Sequence, residues 1–386
     1  MKKICFVTTV SITIKAFVMP LISYLDQNTD WELTVICDED PSLKEQLPEK
    51  VHYIPISMKR GISLGGIGAM LKMAKLFRKE QFDLVQYSTP NASLYASVAS
   101  KLAGIPVRLY CQWGIAYVGF QGVKRQIFKT VEKLVCRLST QIEPDSFGNL
   151  NFSHSEKLYT DKKSCVIWNG SASGVSLEKF DITQRMPWCA EIRSRLGIGE
   201  QDFVYGFIGR ITGDKGINEL FAACQRILGE QQDAYLILVG MPEKEETLDP
   251  SLYEWAKEEP RVIFCGFSTE VEKYISSMDV YILPSYREGF GSAVVEAEAM
   301  GVPVIISDIP GPRDAMIENT TGLVVKKADS ESLYEAMLQI KADDSRRQRM
   351  GRAAYEFAKD NFEQTQLMSR ILQDRIRLMD GCKEKI

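Results

Sequence analysis

Short β-branched runs alternate with helical patterns along nearly the whole chain, and this alternation constrains the fold more than any other feature. Strand-like runs fall at residues 4–9, 32–37, 52–56, 84–88, 107–112, 141–143 and 164–168, then at 203–209, 234–240, 262–266, 280–284, 304–307 and 323–325. Helical periodicity marks residues 68–79, 124–138, 217–228 and 293–300, and residues 330–359 and 362–379 read as closing helices. Strands separated by helix-length segments pair in parallel, because a parallel pair needs a crossover, and the helices then cover both sheet faces. The strandless stretch 171–201 divides the series in two. The expectation is an α/β protein of two doubly wound, Rossmann-like domains, residues 1–175 and 176–360. A chain of 386 residues is long enough to give each its own core.

Several classes drop out. The longest apolar runs, such as residues 234–239, have strand length, well short of a bilayer-spanning helix. The first ten residues carry charges like a signal peptide, but the apolar stretch is short and Ser11, Thr13 and Lys15 follow, so they read as a first strand and the protein as cytoplasmic. Nine cysteines, scattered and without a Cys-x-x-Cys, read as reduced core thiols. Only His52 and His154 are present, which excludes a His-rich zinc site. Residues 1–180 hold 22 Lys/Arg against 16 Asp/Glu, whereas residues 181–386 hold 25 against 35. A basic first lobe in a net-acidic chain suits an anionic surface or substrate, although ordinary surface variation has the same appearance.

Open parallel sheets bind ligands at the carboxyl ends of their strands, where loops enter helix N-termini. Three such loops carry unusual residues. After the 203–209 strand comes Gly209-Arg210-Ile-Thr-Gly213-Asp-Lys215-Gly216, two cations in a glycine-rich turn at a helix start. Helix dipole, backbone N–H groups and side-chain charge together suit a phosphate; a solvated turn fits the same letters. After the 280–284 strand, Glu288 and Glu296 flank Gly289-Phe290-Gly291 at the next helix start. A carboxylate accepts two hydroxyl hydrogens from a ribose or hexose, so this pair suits a sugar nucleotide. Ser285-x-x-Glu288 is alternatively a capping box. The third feature is the stretch 124–138, where Ile127, Phe128, Val131, Leu134, Val135 and Leu138 share a face and Lys124, Arg125, Lys129, Lys133 and Arg137 lie on others. A basic amphipathic helix can rest on an anionic bilayer, and a helix packed on its own sheet is the plainer reading. Gly65-Gly66-Ile-Gly68 is not a dinucleotide fingerprint, and Asp38-Glu39-Asp40 reads as a polar turn rather than a metal triplet.

Taken together, Gly209-Arg210, Lys215-Gly216, Gly240, Gly266 and Glu288-Gly-Phe-Gly-x4-Glu296-Ala-x-Ala-x-Gly301-x-Pro303 resemble the C-terminal domain of family 4 retaining glycosyltransferases. The N-terminal half resembles the bacterial capsule and O-antigen members through residues 2–10 and 105–114. The resemblance implies a GT-B architecture: an acceptor-binding first domain, a donor-binding second domain, a cleft between them, and residues 361–386 as a helix returning to the first domain. It implies metal-independent transfer, with retention, from a nucleoside-diphosphate sugar, foremost a UDP-sugar, to a glycan acceptor carried on polyprenyl diphosphate. That acceptor implies peripheral association with the inner membrane face, and no nucleic-acid partner is expected. Carried onto matching positions, Arg210 and Lys215 neutralise the leaving diphosphate and Glu288 contacts the donor sugar. Glu296 then binds the ribose, Gly209, Gly289, Phe290 and Gly291 offer backbone, and Gly266 with Phe267 faces the base. Two departures stand out. The loop after the first strand lacks the family's glycines and runs through to Lys15, and Gln112-Trp113 stands where many members have a histidine near the donor sugar. Lys15, Gln112 and Trp113 are therefore candidates on the acceptor side. The alternatives are a sugar-nucleotide epimerase on the same fold and a non-catalytic sugar-nucleotide-binding protein.

Overall fold

The computed structural model describes residues 1–58 and 64–381. It divides into two compact units, residues 1–173 together with the chain from Gln364, and residues 174–363. In the first, six parallel strands, β1 (Lys3–Val7), β2 (Glu32–Cys37), β3 (His52–Pro55), β4 (Leu84–Tyr87), β5 (Val107–Gln112) and β6 (Gln141–Pro144), are ordered β3-β2-β1-β4-β5-β6. Side-chain alternation sends Cys5, Val7, Val85 and Tyr87 to one face, under helices Leu64–Glu80 and Pro90–Ala103. It sends Ile4, Phe6, Leu33 and Val35 to the other, where Leu367, Met368 and Ile371 of the final helix Gln364–Gly381 also pack. Both faces are buried, which is why these strands read as near-continuous apolar runs.

The second unit repeats the plan with β7 (Phe203–Ile208), β8 (Ala234–Val239), β9 (Val262–Gly266), β10 (Val280–Leu283), β11 (Val304–Ser307) and β12 (Gly322–Val325), ordered β12-β11-β10-β7-β8-β9. Strand order reverses between β10 and β7, so the loops after these two strands face the crevice where such sheets take ligands.

Three expectations are corrected. Residues 164–168 are not a strand: only Ser164 bridges Ile142, and Trp168 turns left-handed at φ 52°, which ends any extension after one rung. The helix expected over 330–359 is two, Ser330–Ala342 and Asp344–Phe362, because Asp343 leaves helical geometry (φ −124°, ψ 87°) and its carboxylate caps the next helix on the Arg346 N–H at 2.8 Å. The helix Gly122–Leu138 does not bury one whole apolar face; Val135 and Cys136 are buried, whereas Ile127 and Leu134 are 50% and 42% exposed. Lys15 is partnered within its own unit, its ammonium donating to Asp40 at 2.7 Å and to the Ser42 hydroxyl at 2.6 Å.

The polar turn 38–40 has structural work of its own. Asp38 accepts the Ser11 N–H at 2.6 Å, and Asp40 caps helix Pro41–Gln46. Lys15 first, then the Ser42 and Ser11 groups, hold the Asp40 carboxyl well below the usual carboxylate range. The eight described cysteines are free, and Cys382 lies outside the described residues. Burial pushes their thiols up, Cys37 to about 12, and Cys5, Cys37, Cys111, Cys136 and Cys224 are buried as inert core.

Candidate active site in the second unit

At the end of β7 the chain turns through Gly209 (φ 148°) into a short turn, Gly213–Lys215, and Gly216 then starts helix Ile217–Glu230. Gly216 sits at φ 71°, and a Cβ there would lie 2.0 Å from the carbonyl oxygen of Pro284. Only glycine allows the β7 and β10 loops this contact. Gly240, just past β8, plays the matching part: its Cβ would fall 1.9 Å from the Gly209 carbonyl oxygen. Gly240 N–H in turn donates to the Gly266 carbonyl at 2.8 Å, so the ends of β7, β8 and β9 form one backbone shelf.

Across this contact the side chains of the two loops meet. Lys215 Nζ donates to Glu288 Oε1 at 2.6 Å, with the two side chains 18% and 14% exposed. Tyr286 N–H donates to the Asp214 carbonyl at 3.0 Å, Arg287 Nη2 to Asp214 Oδ2 at 3.2 Å, and the Tyr286 hydroxyl to Glu219 Oε1 at 2.6 Å. Arg210 lies farther out, half exposed, 3.3 Å from Glu243. No capping box forms: helix Ser292–Ala299 starts after Gly291 (φ 87°), and the buried Ser285 hydroxyl has no partner. Glu288 is spent on Lys215 rather than on a helix start. The Phe290 ring is buried 5.2 Å from Phe362, so only its backbone can serve a ligand.

Glu296 lies two turns further along, partly buried. Burial first, then repulsion from Glu272, raises its carboxyl to about 6 against the pull of Lys179. Lys179 itself stands 3.6 Å from Glu272 and was missed by sequence reading, because it precedes every strand of this unit. Phe267, just past β9, exposes 73% of its surface.

The candidates of the first unit behave differently. Gln112 is fully buried, its amide donating to Glu132 at 2.6 Å and its oxygen accepting from Tyr159 at 2.7 Å and Ser153 at 3.0 Å. It is a network residue, closed to ligands. Trp113 is half-buried, 5.8 Å from the Phe17 ring. These three groups, Lys15, Gln112 and Trp113, are not brought together by a shared contact.

Two units, each a six-stranded parallel sheet of Rossmann-like order, make up a GT-B architecture. The chain is a glycosyltransferase: the family described as "Glycosyl transferases group 1" matches residues 190–357 and "Glycosyl transferase 4-like" matches residues 3–146. Among curated relatives, the capsular polysaccharide biosynthesis glycosyltransferase CapM of Staphylococcus aureus is 29% identical over 321 residues, 83% of each chain. The UDP-Gal:alpha-D-GlcNAc-diphosphoundecaprenol alpha-1,3-galactosyltransferase of Escherichia coli is 25% identical, covering 82% of this chain and 81% of that one. Among solved structures, Anabaena HepE in complex with UDP and glucose superposes with a TM-score of 0.79 at 19% identity, over 98% of this chain and 100% of that one.

Proposed function

We propose that this glycosyltransferase moves a sugar, with retention and without a metal, from a UDP-sugar to a polyprenyl-diphosphate-linked glycan in surface-polysaccharide synthesis. The observation that carries the reading is the Lys215–Glu288 pair, cation and carboxylate brought to 2.6 Å by two loops at the β7–β10 switch point. Glycosyl transfer develops positive charge on the sugar and negative charge on the departing diphosphate. A fixed ammonium and the N–H groups around Gly289 to Gly291 meet the second, while Glu288 orients donor hydroxyls. The leaving phosphate then takes the acceptor's proton, and no side-chain base is required. Phe267 offers a face to the base and Glu296 an acceptor to the ribose. The relatives support the donor and acceptor classes: the E. coli enzyme is named for UDP-galactose and a diphosphoundecaprenol acceptor.

A panel of UDP- and GDP-sugars tests this. One UDP-sugar is expected to release UDP slowly without acceptor, equally with and without EDTA. Its KM should rise as pH falls through about 6, because a protonated Glu296 accepts ribose hydroxyls less well, and Glu296→Gln should flatten that rise. A panel with neither release nor binding ends the donor reading. Epimerisation without UDP release would replace it.

A lipid-linked acceptor requires a bilayer surface. No helix among the described residues is long and apolar enough to cross one. Helix Gly122–Leu138 supports surface contact instead: Val123, Ile127 and Leu134 are 76%, 50% and 42% exposed. At 100° per residue they cluster within about 40° of one face, with exposed Lys124, Lys133 and Arg137 flanking them. Arg125 and Lys129 are drawn inward to Glu156 and do not share that role. Co-sedimentation with vesicles containing anionic phosphatidylglycerol should fall more than tenfold for Lys133→Glu with Arg137→Glu, at roughly 1 kcal/mol per cation. Equal binding to neutral and anionic vesicles, unmoved by that pair, would remove this face from the membrane.

A further inference from the structure

Asp214 is the junction of the two donor loops. One carboxylate oxygen accepts the Thr212 hydroxyl at 2.6 Å, and the other accepts Arg287 Nη2 at 3.2 Å. Its backbone carbonyl takes the Tyr286 N–H at 3.0 Å. Thr212 is fully buried, so the first contact is anchored in the body of the unit. Consecutive residues on one loop, Asp214 and Lys215, thus grip consecutive residues on the other, Arg287 and Glu288.

We propose that Asp214 is a positioning residue for sugar transfer, acting through Arg287 to hold residues 285–291 in register with Lys215. The proposal rests on the reading that Lys215 and Glu288 meet the donor. Without the clamp, the half-exposed Arg287 side chain is free to swing to its neighbour Glu288, taking up the carboxylate that donor hydroxyls need. The loop carrying the Gly289 to Gly291 N–H groups then loses its fixed distance to the ammonium. Transfer between groups misplaced by about 1 Å slows by as much as a hundredfold, whereas ground-state binding through the rest of the nucleotide survives. The carboxylate is suited to the part. Burial opposes its charge, but the Thr212 hydroxyl with Arg287, Arg210 and Lys215 outweighs that and keeps its pKa below the ordinary value.

The test variant is Asp214→Asn, which keeps shape and the Thr212 contact while losing the charge on Arg287. Expected is a roughly ten- to hundredfold fall in kcat for donor cleavage, with donor KM changed less than threefold and thermal midpoint unmoved. Arg287→Ala should give the same fall, and the double variant no more than either single, because both break one clamp. Hydrogen exchange on the ligand-free protein should quicken at amides 285–291 in Asp214→Asn and stay unchanged in the strands of the same unit. Wild-type kcat in Asp214→Asn, multiplicative losses in the double variant, or unchanged exchange at 285–291 would each overturn the proposal. If the wild-type enzyme cleaves no donor, the donor reading fails, and the exchange measurement still decides whether the clamp exists.

Discussion

Lys215→Ala is expected to lower kcat for transfer by about 10²–10³, the loss that follows removal of one fixed stabiliser of developing negative charge, about 2.7–4 kcal/mol. The effect should fall on kcat more than on donor KM, because the diphosphate's charge grows as the glycosidic bond breaks. A second cost adds to the first. Glu288 is 14% exposed and loses the Lys215 ammonium at hydrogen-bond distance, so the carboxylate proposed to orient the sugar is left free to drift. Arg210 makes a useful comparison. Its guanidinium is 46% exposed and its partner Glu243 is 50% exposed. Water and salt screen such a pair, and Arg210→Ala should cost less than Lys215→Ala. Donor-cleavage kinetics on both variants check the order. Lys215→Ala within threefold of wild type would take Lys215 away from the leaving group.

The parts of this site that sequence could show are those written in backbone chemistry. Glycines, cations and carboxylates at the strand ends after residues 209 and 284 announce two loops in close contact, because an L side chain at Gly216 would strike the Pro284 carbonyl. The sheets were legible for a similar reason: strands buried on both faces are apolar without interruption. What stayed hidden depends on partners remote in the chain. Nothing around Gln112 tells that Glu132, Ser153 and Tyr159 use up its amide, nor around Lys15 that Asp40 and Ser42 take its charge. Asp214 looks like any turn residue until Arg287 arrives beside it. The false strand at 164–168 has β-branched residues but a single rung of pairing, a fact of neighbours rather than of composition. The division of the helix at Asp343 was local, and its Asp-Asp pair is a capping signal that helical periodicity masked.

Arg375→Ala should cost the first unit about 3–5 kcal/mol, the usual result of stranding buried charges. Arg375 is the largest fully buried side chain, 1% exposed, and it projects from the final helix onto the end of the first sheet. Its guanidinium donates to Glu143 Oε2 at 2.5 Å and Oε1 at 3.0 Å, to Gln86 Oε1 at 3.1 Å, and to Asp374 Oδ2 at 2.9 Å. Truncation leaves the Glu143 and Asp374 carboxylates, 11% and 7% exposed, without that guanidinium. The loss therefore exceeds that of a neutral hydrogen bond, about 1 kcal/mol. It also loosens Leu367, Met368 and Ile371, which hold the helix to the sheet face. Urea unfolding followed at the tryptophans of this unit, Trp31, Trp113 and Trp168, would read the change. A companion variant separates charge from contact: Arg375→Met with Glu143→Leu and Asp374→Asn removes the buried charges together, and it should recover much of the stability lost by Arg375→Ala. If Arg375→Ala costs under 1 kcal/mol, the ion cluster is not what fastens the C-terminal helix, and its apolar face alone does so.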